Sequence, residues 1–79
     1  MPEPANWDDM SRTQRVRHLE KRFVAAVAAL EAGPQRNEDV LIAQAALTSM
    51  RAELYGTRAG RARYRQYESR FDSAIGESP

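Results

Sequence analysis

Residues 54–61 read Leu54-Tyr55-Gly56-Thr57-Arg58-Ala59-Gly60-Arg61, and whether a helix passes through them decides the fold. Each glycine costs about 1 kcal/mol in a helix interior relative to alanine. Gly56 suits a helix C-terminus and Thr57 the N-cap of the helix that follows. A break here starts a third helix that carries Tyr64, Tyr67, Phe71, Ala74 and Ile75. A helix running straight through keeps Tyr64, Phe71 and Ile75 in phase with Leu54, but Thr57, Arg61 and Glu68 interrupt the stripe. It also leaves an aromatic overhang that only a second subunit would bury. The break is the favoured reading.

The preceding chain is more regular. Ser11 with Gln14 is a capping-box pattern, in which the hydroxyl accepts from an early helical amide and the glutamine reaches back. Val16, Leu19, Phe23, Ala26 and Leu30, thickened by Val27, then recur at helical spacing. Gly33-Pro34 ends that helix, since proline cannot continue it. Asn37 is expected to cap the next helix, with Glu38 and Asp39 at its positive end. Val40, Ala43, Leu47, Met50 and Leu54 form a second stripe of matched length. Two such stripes joined by a short turn predict an antiparallel hairpin.

The expected fold is therefore all-α: an antiparallel helical hairpin plus a third helix, a small three-helix bundle completed by self-association. Helices are expected near 11–32, 38–55 and 59–74. Residues 1–10 read as an irregular acidic leader with Trp7 pinned on the bundle, 11–75 as one helical domain, and 76–79 as a loose tail. At 79 residues a single core is only marginally sufficient, which motivates the expectation of a homo-oligomer.

Composition excludes much. With no cysteine, disulfides, thiolate metal sites and cysteine nucleophiles are ruled out, and His18 is the only imidazole. No metal or other cofactor is expected. His18 lies among Arg15, Arg17 and Arg22 and reads as a partly exposed helix residue rather than a general base. No carboxylate pair or catalytic triad stands at a recognisable spacing, so an enzyme is not expected. The segment from Gly56 to Arg61 has one residue too few between its glycines for a phosphate loop and no preceding strand. Met1–Met10 lacks the pattern of a secretory signal, and the longest apolar run, Phe23–Leu30, is too short to span a bilayer. A cytoplasmic, membrane-free protein is expected.

Charge carries what functional signal there is. Eleven of the 12 basic residues are arginines, although the net charge is only +1. Residues 12–22 hold five bases and one acid, and residues 51–70 six bases and two acids, so each block carries +4. Residues 31–50, around the turn, carry one base and three acids, or −2. An antiparallel hairpin brings the two positive blocks to one pole. Guanidinium suits phosphates and carboxylates, so Arg12, Arg15, Arg22, Arg58, Arg61, Arg63 and Arg65, with Tyr64 and Tyr67, are the expected partner-binding residues. Asp8, Asp9, Asp72 and Glu77 are also available to neutralise the pole internally.

Two functional readings follow. The first is a non-enzymatic interaction module, a small accessory subunit or inhibitor of the kind phages and mobile elements encode. Its partner would be a protein with an acidic or nucleic-acid-binding surface. The alternative is direct nucleic-acid binding by residues 58–70, where arginines would track phosphates and tyrosines stack on bases. On a helix, however, the tyrosines fall on one side and Arg58, Arg61 and Arg65 on another, which favours tyrosines in the core and arginines in solvent.

Overall fold

The structure, a computed structural model, describes residues 6–76. A 3-10 turn at Trp7–Asp9 leads into three α-helices, α1 (Arg12–Ala32), α2 (Asn37–Leu54) and α3 (Arg58–Ala74). The chain therefore breaks between Leu54 and Arg58 and does not run through as one helix. No strand occurs among the described residues. The first five residues of the expected leader and residues 77–79 of the expected tail lie outside the described residues. Within the leader, Trp7–Asp9 forms the 3-10 turn. Trp7 is half-buried, its ring edge-on to His18 at 5.8 Å.

The start of α1 is built as its sequence dictates. The Ser11 hydroxyl accepts from the Gln14 amide at 3.2 Å, and the Gln14 side chain accepts from the Ser11 amide at 2.8 Å. Gly33, at φ 63°, takes the backbone conformation that closes the helix, and its amide donates to the carbonyls of Ala29 and Leu30. At α2 the expected cap shifts by one residue. Arg36 occupies the cap position, Asn37 is already helical, and no side chain caps the end. Glu38 and Asp39 still fall in the first turn, where they favour the positive end of the helix.

The core is one apolar seam. Val16, Leu19, Phe23, Ala26, Val27 and Leu30 of α1 meet Ala43, Ala46, Leu47, Met50 and Leu54 of α2, and Tyr64, Phe71 and Ala74 of α3 close over them. Phe23, Leu19, Met50 and Val27 are the largest fully buried side chains. Arg15 of α1 pairs with Glu53 of α2, so the hairpin is antiparallel with α1's start beside α2's end. Phe23 and Tyr67 meet edge to face at 5.5 Å, and Gln35 in the turn donates to the Ala74 carbonyl at 2.6 Å. Thus α3 returns alongside α1, in the same direction, to the level of the turn.

The corner between α2 and α3 depends on a glycine. The Thr57 hydroxyl accepts from the Gly60 amide at 2.9 Å, the cap the sequence predicts. Gly60 itself is buried against the end of α2, and a Cβ there would lie 1.9 Å from the Leu54 carbonyl oxygen. Gly56 has open space around it. The sequence places Gly60 inside the third helix only as a cost; inside α3 it permits a close approach of two backbones.

Candidate docking site at the arginine pole

Chain connectivity and the Arg15–Glu53 pair bring α1's start, α2's end and α3's start to one end of the bundle. The basic residues that meet there divide into those committed to the fold and those left free.

Arg15 is committed. It is half-buried, its Nε lies 3.1 Å from Glu53, and its guanidinium donates to the Met10 carbonyl. Arg63 is also held: its Nε donates to the Tyr67 hydroxyl at 2.9 Å and its Nη2 to Glu20 at 3.2 Å. Arg61 is half-buried and donates to the Tyr55 carbonyl at 3.4 Å, at the C-terminal end of α2 where carbonyls lack helical partners. Further along α3, Arg70 pairs with Glu31 at 3.3 Å. The glutamates of α1 and α2 thus answer part of the charge. Asp8, Asp9 and Asp72 take part in no ion pair among the described residues, and Glu77 lies outside them.

Arg12, Arg51, Arg58 and Arg65 remain exposed and pair with no acid among the described residues. Arg51 lies over the Tyr55 ring at 4.2 Å, and Tyr55 meets Tyr64 edge-on at 5.7 Å. That stack holds one guanidinium flat at the surface on an aromatic support. Arg51 belongs to the basic block of the sequence but was not among the expected binding residues. Arg22 is the opposite case. It lines a groove with Asp39 and Ile42 of α2, on the flank of α1 that faces away from α3, so it does not join Arg61, Arg63 and Arg65. The hairpin register, invisible in a linear reading, sets this.

The tyrosines belong to the fold. Tyr64 is buried at 8% exposure, and Tyr67 is half-buried with its hydroxyl donating to Glu20. Neither ring is free to stack on a base. The Tyr67 hydroxyl, backed by Arg63, holds the Glu20 carboxyl below the usual carboxylate range, and burial raises the Tyr67 phenol above its ordinary value. Because Glu20's native value is depressed, its contribution to stability is present above about pH 4.3, the ordinary glutamate value, and is lost as pH falls through the lower native value. The expected result is that acid titration below about pH 4.3 lowers the melting temperature of the parent more than that of Glu20→Gln. Parallel acid melting curves for the two proteins would contradict it.

His18 has Nε2 buried and unbonded beside the Trp7 edge. No group of three or more potential metal ligands occurs among the described residues, and no described helix is long and apolar enough to cross a membrane. Comparison with protein-family models, curated proteins and solved structures returns no match for this chain.

Proposed function

We propose that the protein is a non-enzymatic helical interaction module, a small accessory subunit or inhibitor, that docks on an acidic surface of a protein partner through the free arginines of its pole. The carrying observation is the division just described. Arg15, Arg61 and Arg63 spend their donors on the bundle, while Arg12, Arg51 and Arg58 are delivered by three different helices to one end, with Arg65 two turns further along α3, and none of these four pairs with an acid among the described residues. Like charges gathered without compensation repel one another, and an anionic partner relieves that repulsion. Four exposed forks suit carboxylates bidentately.

A polyanionic nucleic acid offers the same charge, but the nucleic-acid reading depended on Tyr64 and Tyr67 as stacking rings, and both are held in the bundle. It now rests on guanidinium contacts alone, so the acidic protein surface is preferred. Fluorescence anisotropy separates the two with a labelled glutamate-rich peptide and a labelled single-stranded oligonucleotide, each titrated across salt concentration. The expected result is saturable binding of the peptide that exceeds binding of the oligonucleotide. Oligonucleotide binding that is tighter, with a steep linear fall of log affinity against log salt, favours the nucleic-acid reading instead.

A further inference from the structure

The α1–α2 hairpin has a flank that α3 does not cover. On α1, Glu20, Phe23 and Glu31 face α3. At 100° per residue, Arg22, Ala25 and Ala29 fall on the other flank. There Arg22, Ala25 and Ala26 of α1 and Asp39 and Ile42 of α2 line an open groove of about 260 Å³. Its floor is aliphatic, with exposed Ala25 beside half-buried Ile42. Its two ends are charged and opposite in sign.

Neither charge is answered among the described residues. Arg22 Nε is buried and has no hydrogen-bond partner, and half-buried Asp39 enters no ion pair. The register explains why they miss each other. Glu53 is level with Arg15, so Asp39, fourteen residues back along α2, stands level with Ala29. That is seven residues along α1 from Arg22, or about 10 Å at the helical rise. The groove therefore carries an aliphatic middle, a cation at one end and an anion at the other.

Such a surface is complementary to itself. A two-fold axis across the helices at the level of Ala25 and Ala26 reverses the groove end for end. It sets α1 antiparallel on the second copy's α1, where alanines allow close approach. Each Arg22 then comes to the level of the second copy's Asp39, and a long guanidinium side chain spans the groove between adjacent helices. We propose that this flank is the seat of a second copy of the same chain, forming an isologous antiparallel dimer with a four-helix core. The surface is distinct from the arginine pole, so neither reading depends on the other.

Sedimentation equilibrium of the full chain, over a concentration series to about 1 mM, tests this directly through the dissociation constant it yields. The parent is expected to reach twice the 8.9 kDa chain mass. Arg22→Asp and Asp39→Arg, each placing like charges opposite one another, are expected to weaken dimerisation at least about tenfold. An equimolar mixture of the two variants is expected to dimerise again, because each then presents what the other lacks. Ala25→Trp, at an exposed position the fold tolerates, is expected to remain helical by circular dichroism and monomeric. A parent that stays at 8.9 kDa throughout overturns the proposal. So do variants that associate like the parent, or two folded monomeric variants whose mixture fails to associate.

Discussion

Phe23→Ala is expected to remove about 3–5 kcal/mol of stability, the range for emptying a buried aromatic site. The ring is 0% exposed, touches the Tyr67 edge and is the largest of the fully buried side chains. It lies where α1 meets both other helices, so no single helix can shift to fill the space. Domains hold roughly 0.05–0.15 kcal/mol per residue, so a chain this short has only about 4–12 kcal/mol to lose. At the lower end the variant is unfolded at room temperature. Urea denaturation followed by circular dichroism measures the change. A loss below about 1 kcal/mol would mean that Phe23 is not at the centre of the core.

Gly60→Ala gives the second large effect, and its sign separates local propensity from tertiary packing. Propensity alone predicts that alanine in a helix stabilises by about 1 kcal/mol over glycine. The structure predicts a loss of about 3 kcal/mol, the upper end of ordinary overpacking. The added Cβ would meet the Leu54 carbonyl oxygen at 1.9 Å, its carbon at 2.9 Å and the Thr57 hydroxyl at 2.9 Å. The first two are backbone atoms that no rotamer change can move, so the corner must open and strain the Thr57 cap. Gly56→Ala is the matched control. Its Cβ meets nothing within 4 Å, and the change should stay within about 0.5 kcal/mol. Equal effects at the two glycines would contradict the close approach of α2 and α3.

These two residues also mark what sequence reading reaches. Every α1 core position was legible from spacing, because an apolar stripe on a helix has one way to be buried, and the Ser11 capping box was legible because it is local. Gly60 was legible only as a cost. Its necessity comes from the path of the chain after Leu54, which spacing does not encode. Asn37 failed as a cap because the turn delivers Arg36 to that position.

The site divides in the same way. That arginines gather at one pole followed from block charge and an antiparallel hairpin. Which of them are free did not, because the pairs Arg15–Glu53, Arg63–Glu20 and Arg70–Glu31 depend on the register between helices. Arg22 illustrates the limit. It lies in the first basic block by sequence and on the opposite flank of α1 in space. Asp39, half-buried at the far end of that groove, gives no signal in the linear chain beyond suiting a helix N-terminus.

Charge reversal at the two exposed α3 arginines tests the central claim most directly. Arg58 and Arg65 make no ion pair among the described residues, so replacing both with glutamate removes pole charge without breaking a bond of the bundle. The measurement is anisotropy of the glutamate-rich peptide on Arg58→Glu/Arg65→Glu beside the parent, with a thermal melt of each. Docking through the pole predicts that peptide binding falls at least about tenfold, while the melting temperature holds or rises as repulsion is relieved. Peptide binding that survives in a folded double variant would contradict the account.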